Sequence, residues 1–562
     1  MLGAITVNYI YANPEYSIVS GADSEMQARI FMDAMVADAN QRGVTVSFDD
    51  RQIEEDMMNC YISDNLHVMM PVSIVRDYLE CKLSYPSDTK LKLRKGSTEL
   101  LLCIGSEEAY ANQVAFTLRD AVVEKDGIVY VPIEDIATYL HVRTQYRLVD
   151  NVLAMSSIPY EEDLPESYDM RAENRMTEVR NQGKNANCWA YANLGAAEST
   201  LMPEEHLNFS ANYMSKHSGF QVPEDMGGDY LMAVAYMARW AGPVERKTES
   251  DGTDAGKIEI DGRPVLKHLE QAVFPAKKDY ETIKNCVYKY GGVVSSLYIN
   301  LDLENDDEGS SYYNKDQSSY YFDGEAETNH AVVIVGWDDH YSRENFSVKP
   351  EEDGAFICKN SWGTKFGEEG YFYISYYDVN IGLYNCCYTV LADVDNYDYN
   401  YQADKLGWVG ELGYDCSNAY MANVYTAHED ELLKAVAFYT TDKDTSYKVY
   451  AVKDYTDSAS FKNRVQVAEG TLDQSGYYTV TFDNAVPLAA GERFAVVVYL
   501  DTPGSVHPVA IEYNGNERTE TFDVTDGEGY VSLYGEAWTN VEQKQNANVC
   551  LKAFTDKTGN TQ

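Results

Sequence analysis

The spacing of apolar positions along the chain changes character twice. Up to about residue 157, short alternating runs are broken by prolines that open brief helical stretches. "VMMPVSIVRDYLECKLSY" (68–85) aligns with "VYVPIEDIATYLHVRTQY" (129–146) at a constant offset of 61. Pro71 falls on Pro132, Val75 on Ile136, Tyr78 and Leu79 on Tyr139 and Leu140, and Tyr85 on Tyr146. Each copy predicts a strand, a short helix opened by proline, and a second strand. Before them, "SEMQARIFMDAMVADANQRG" (24–43) has the spacing of an amphipathic helix.

The middle of the chain reads differently. "IPYEEDLPESYDMR" is a proline-punctuated acidic link, extended in character. After Cys188, "WAYANLGAAES" is rich in Ala and free of Pro, so a helix should begin near that cysteine. "HAVVIVGW" and "AFICK" are β-branched apolar runs that predict buried strands starting at His330 and ending just before Asn360. Beyond about residue 394, "SYKVYAV" (446–452), "YYTVTF" (477–482) and "RFAVVVYL" (493–500) are short β-rich runs. "DKD", "DQSG", "DNAVP" and "AAGE" supply turn signals between them, so an antiparallel sandwich is expected. The expectation is a multidomain α+β chain: an αβ repeat domain over 1–157, a mixed domain over 158–393 and an antiparallel β-sandwich over 394–562.

Composition narrows the function classes. At 562 residues the chain exceeds what a single core supports. Ninety acidic side chains against 45 basic ones give a net charge of −45, which argues against a nucleic-acid binder or an adherent of anionic membranes. Tyrosine, at 47 residues against 17 phenylalanines, suits half-exposed β-surface. The ten cysteines contain no C-x-x-C pair, so neither a zinc knuckle nor a disulfide framework is implied. No run approaches the roughly 18 apolar residues of a membrane span. The opening "MLGAITVNYIYANPEY" lacks the basic region and apolar core of an intact signal peptide. Either an intracellular chain or one whose signal has been removed fits that opening.

The chemistry centres on "VRNQGKNANCWAYA" (179–192). A thiol attacks a carbonyl as the thiolate, and a helix amino terminus or a neighbouring histidine lowers its pKa. The expected helix places Cys188 at the positive end of the macrodipole. Acyl transfer also needs donors aimed at the oxyanion, and the Cys188 N–H and the Gln182 amide on the preceding loop can supply them. The strand after His330 would hold that imidazole rigidly. Asn360 can accept from its far nitrogen and set the tautomer, with Trp362 shielding the bond from water.

"NQGKNANCWAYA", "NHAVVIVGW" and "KNSWGTKFGEEGY" together resemble the three signature blocks of the papain-like cysteine peptidases, in the family's order. The resemblance covers about 230 residues. It implies a papain-like domain with a helical half and a β-barrel-like half. It also implies Gln182 in the oxyanion hole, Cys188 as nucleophile, His330 as base and then acid, and Asn360 as its orienter. "LPESYDMR" (164–171) resembles the start of the family's mature enzyme. "MGGDY" (226–230) resembles its glycine pair, Gly227 and Gly228, with Gly228 pairing to substrate backbone. The 1–157 repeats resemble the stalk-like modules related to the amine-oxidase amino-terminal domain, found on bacterial surface proteins. The 394–562 segment resembles the lectin-like domains that follow bacterial peptidases of this type.

Departures from the family pattern bear on detail. Asn185 stands where the family usually has a disulfide cysteine, and Ala186 stands where glycine commonly lies beside the scissile-bond subsite. Asn329 precedes the histidine where several members have Asp. The acidic insertion over 300–327 lacks EF-hand spacing and reads as a solvated loop overhanging the cleft. Its carboxylates, with Asp229, would favour cationic peptides.

The expected activity is hydrolysis of protein or peptide substrates through a thioester, with no metal and no cofactor beyond a reducing environment. The carboxy-terminal domain is expected to take a glycan or cell-surface ligand, and the protein is expected outside the cell or on its surface. Two rivals stand beside this: an inactive surface adhesin, and a transpeptidase that passes the acyl group to an amine.

Overall fold

The computed structural model describes residues 36–558 except 38, 49–50, 54–58, 64, 66, 80, 96–97, 112–113, 141, 148–150, 158–163, 222–226, 248–261, 302–309, 516 and 521. Two compact units result. One holds Leu164–Lys277 and Thr282 onward, and the other holds the described residues before Leu164 together with Lys278–Glu281.

In the smaller unit the two sequence copies take the expected form. Strands Val68–Pro71 and Ile128–Pro132 run directly into helices Val72–Tyr78 and Ile133–Ile136. The proline closing each strand is the residue before the helix, where its fixed φ and missing N–H disrupt neither element. The strands pair antiparallel, with Met69 opposite Pro132, Met70 opposite Val131 and Pro71 opposite Tyr130. Met70 and Val131 are equivalent at the 61-residue offset, so the copies meet about a local two-fold at that pair. Val75, Leu79, Ile136 and Leu140 from both copies fill one core. Of the helix expected over 24–43, residues 36–37 and 39–42 are helical, and the earlier part lies outside the described residues.

The larger unit is built on one long sheet. Helix Cys188–Leu201 is buried along nearly its whole length, and its Ala and Gly positions let neighbouring strands approach closely. It packs on strands His330–Asp338 and Cys386–Ala392. His330–Asp338 is a central strand between Val293–Leu297 and Ala355–Lys359, and all its residues but the last are buried, so both of its faces are covered, as its uninterrupted apolar run requires. The sheet continues through Cys386–Ala392 and His268–Val273 and then passes into Gly476–Leu488, Glu431–Thr440 and Leu551–Lys557. At the crossing, Gln271, Ala272 and Val273 pair with Tyr478, Tyr477 and Gly476. One hydrogen-bonded sheet therefore joins the middle of the chain to its carboxy-terminal part.

A second sheet containing Thr445–Val452, Arg493–Asp501 and Asn418–Thr426 faces the end of the first, and Met421, Val436, Phe438, Val496 and Val498 fill the space between. The sandwich is as expected, but "DNAVP" is no turn. It lies within the span of strand Gly476–Leu488, where the chain bulges over 482–485 between Thr481, paired with Ala435, and Val486, paired with Leu433. Pro487 is tolerated there because His268–Val273 pairs only with residues 476–478, leaving the later part of the strand an edge. Of the 300–327 insertion, the acidic run over 302–309 lies outside the described residues, and the part from 310 onward is more ordered than a solvated loop. Tyr313–Asn314 pairs with Ser319–Tyr320, which adds in parallel to Tyr371–Ser375. Tyr320 and Phe322 are buried, so the insertion's aromatic residues anchor it.

Candidate active site

Asn187 stands at the N-cap position of the helix that opens with Cys188, yet its side chain makes no cap. Its Nδ2 donates instead to Asn212 Oδ1 at 3.0 Å. The first-turn N–H groups thus have no side-chain cap, and the positive end of the helix falls on the thiol. The N–H groups of Ala331, Trp189 and Cys188 itself favour the thiolate, but burial outweighs them and pushes the Cys188 thiol up from its ordinary value. Burial also pulls the His330 imidazole down to about 4, opposed by its bond to Asn360. Burial thus disfavours charge on either group alone.

His330 Nε2 lies 2.8 Å from Asn360 Oδ1. The same oxygen accepts the Ser361 N–H at 2.8 Å. A backbone N–H only donates, so that atom is the amide oxygen and Nε2 carries the imidazole proton. Nδ1 is left as the basic nitrogen. The Trp362 ring, half-buried, lies over His330 with centroids 4.6 Å apart. Asn329 is locked to the segment just beyond strand Val293–Leu297, accepting from the Ile299 N–H at 2.8 Å and donating to its carbonyl at 3.0 Å.

Gln182 is held from both ends of its amide. Oε1 accepts the Ser361 hydroxyl at 2.6 Å and Nε2 donates to the Asn185 carbonyl at 2.7 Å. An amide nitrogen carries two hydrogens, so one remains for an oxyanion. Ser361 therefore touches both amides, since its N–H fixes Asn360 and its hydroxyl fixes Gln182. The sequence reading passed over Ser361 because a serine after Asn360 looks like an ordinary turn residue.

Cys188 and His330 line a cleft of about 570 Å³ together with Gly227, Gly228, Asp229 and Arg518. Gly228 passes so close to the Trp189 ring that a Cβ would lie 2.6 Å from Cε2. Ala186 borders the same edge, its carbonyl 3.5 Å from where a Cβ on Gly227 would stand. Asp229 is not the open carboxylate the sequence suggested. Its Oδ1 accepts the Met232 N–H at 3.0 Å and its Oδ2 accepts from Arg518 at 3.2 Å. With Arg518 as its partner, Asp229 offers no free negative charge to a cationic peptide, while Glu325 and Glu327 from the insertion do line the cleft. Among the described residues no cluster of His, Cys, Asp and Glu is arranged to hold a metal.

This fold and this constellation define a papain-like domain with a lectin-like β-sandwich after it. Residues 164–390 match the papain family cysteine protease model, residues 400–555 the lectin like domain and residues 47–152 the copper amine oxidase N-terminal domain. A solved clostridial cysteine protease, Cwp84 after propeptide cleavage, is similar over 70% of this chain and 99% of its own, with 25% identity and a TM-score of 0.61. A second structure holds the cysteine protease and lectin-like domains of Cwp84, described as a surface layer associated protein of Clostridium difficile. It covers 71% of this chain and 90% of its own at 24% identity and a TM-score of 0.60. A cysteine protease of Blomia tropicalis is 27% identical over 236 residues, which is 40% of this chain and 64% of the relative. Cathepsin J of Mus musculus is 29% identical, with 38% of this chain and 60% of the relative covered. The chain thus spans about three-fifths of the length of these curated relatives.

Proposed function

We propose that this chain is a cysteine endopeptidase that hydrolyses peptide bonds of protein substrates through a thioester. The observation that supports it most directly is the hydrogen-bonded chain from His330 through Asn360 and Ser361 to Gln182, beside a cysteine at an uncapped helix terminus. In this reading the Cys188 sulfur attacks the substrate carbonyl while its proton passes to His330 Nδ1. The oxyanion is held by the Cys188 N–H and the second Nε2 hydrogen of Gln182. Collapse breaks the C–N bond, and His330 returns the proton to the leaving amine. Water then attacks the thioester, giving a proton to His330, and the C–S bond breaks to regenerate the thiol. Asn360 keeps the imidazole in the tautomer that leaves Nδ1 free for both transfers. Gly227 and Gly228 form the backbone edge on which the substrate lies.

The chain is organised in this reading as a stalk-like segment over 1–157, a peptidase over 158–393 and a lectin-like sandwich over 394–562. The sandwich would take a glycan or other cell-surface ligand, and the protein would act outside the cell or on its surface. The likeness to a surface-layer-associated relative supports that location. The test is reaction with an epoxysuccinyl thiol-protease inhibitor, followed by intact mass. One adduct on the wild type and none on Cys188→Ala is the expected result. A reduced wild type that takes up no inhibitor and cleaves no peptide would overturn the reading.

A further inference from the structure

Arg518 sits on the loop between strands Val509–Tyr513 and Gly529–Ser532 of the sandwich, yet its side chain lines the cleft that holds Cys188 and His330. Its guanidinium ends on the substrate edge itself. Nη2 donates to the Gly227 carbonyl at 3.0 Å, and Nη1 donates to Asp229 Oδ2 at 3.2 Å. The Arg518 carbonyl accepts the Gln221 N–H at 2.9 Å, so backbone and side chain both reach the peptidase part. The loop is footed beside it, where Thr519 is buried and its hydroxyl accepts the Gly515 N–H at 3.1 Å.

These contacts clamp a short piece of chain from two sides. Gly228 rests against the Trp189 ring, with no room for a side chain, while Gly227 is held through its carbonyl by Arg518. Asp229, the next residue, caps the Tyr230–Ala238 helix with one carboxylate oxygen and meets Arg518 with the other. A two-pronged guanidinium fixes direction as well as distance, which an ammonium does not. The shared sheet keeps the two parts in register, so the clamp needs no closing motion.

We propose that Arg518 is a substrate-positioning residue supplied by the lectin-like sandwich, setting the Gly227–Gly228 edge along which a peptide lies. The inference rests on the peptidase reading above. It makes the sandwich part of substrate recognition in the cleft, whatever its own ligand. A substrate that reaches the edge depends on Arg518, and one that occupies only the position beside the scissile bond depends on it far less.

The test compares Arg518→Ala with wild type on two fluorogenic substrates. One carries a single acylated residue before the cleaved bond and the other carries four. Loss of a charge-assisted contact predicts a KM for the longer peptide raised about tenfold. The loss on the shorter should be at least five times smaller, with kcat affected less than KM. Arg518→Lys keeps one charged donor at a similar reach, without the fork, and should recover part of the loss. It also carries the comparison if the alanine variant does not fold. Equal losses on both substrates, or no loss on the longer one, overturn the proposal while the peptidase reading stands. A wild type inert toward both substrates overturns the peptidase reading, and the proposal with it.

Discussion

Replacing Ser361 by Ala removes one hydrogen bond and almost nothing else. The residue is buried, its backbone N–H to Asn360 persists, and its carbonyl still accepts the Gln182 N–H at 2.8 Å. What disappears is the 2.6 Å bond that holds Gln182 Oε1. A neutral hydrogen bond of this kind contributes about 1 kcal/mol net, so the Gln182 amide is freed to rotate away from its donor position at that cost. The expected result is a kcat lowered about fivefold with KM little changed. Gln182→Ala removes the donor outright and should lower kcat by about 100- to 1,000-fold. If Ser361 acts only through Gln182, the double variant will be no slower than Gln182→Ala alone. Steady-state kinetics on one peptide across the four proteins would measure this cycle. Alkylation by iodoacetamide, which builds no oxyanion, should fall less than peptide turnover. A fivefold loss that survives in the Gln182→Ala background would refute the chain of contacts as the route.

Three further outcomes are expected. Gly228→Ala forces a Cβ to within 2.6–2.9 Å of the Trp189 ring, so it should destabilise by about 1–3 kcal/mol and raise KM, with relief in a Gly228→Ala/Trp189→Phe double variant. In Cys188→Ala the His330 imidazole stands alone with its pKa pulled from 6.5 to about 4 by burial. That stabilising contribution is complete above about 6.5 and is lost as pH falls toward 4, because the unfolded chain takes up the proton first. Urea unfolding of Cys188→Ala should therefore lose roughly 3 kcal/mol across that window, and Cys188→Ala/His330→Gln should lose correspondingly less. Arg180→Met strands the fully buried Glu198, which Arg180 meets at 2.9 and 3.0 Å, and should lower stability by about 3–5 kcal/mol, read as a drop in melting temperature.

What the sequence made legible was local. A strand closed by proline, an Ala-rich run after Cys188 and a β-branched run after His330 each state their conformation within a dozen residues. The 61-residue repeat was visible, but its meaning, two strands pairing about Met70 and Val131, depends on backbone register. Asp229 was misread because its partner Arg518 lies 289 residues away and leaves no trace in spacing. Asn187 is a residue type that normally caps a helix, and only the fold reveals that Asn212 draws it aside. "DNAVP" has turn composition, yet an edge position lets proline stay within a strand. The join of two domains into one sheet is made by backbone groups that every residue carries, so no side-chain pattern announces it.

That join bears on how the protein can be divided. A cut near residue 393, where the sequence texture changes, would strip the partner from Gln271, Ala272 and Val273 and leave an unprotected strand edge. It would also uncover Trp240, which stacks on Phe554, and Phe274, which faces Trp408. Bare strand edges flanked by exposed aromatic rings recruit further copies of themselves. A peptidase fragment produced without its sandwich is therefore expected to precipitate or self-associate, so useful expression boundaries must run through to the strand Leu551–Lys557.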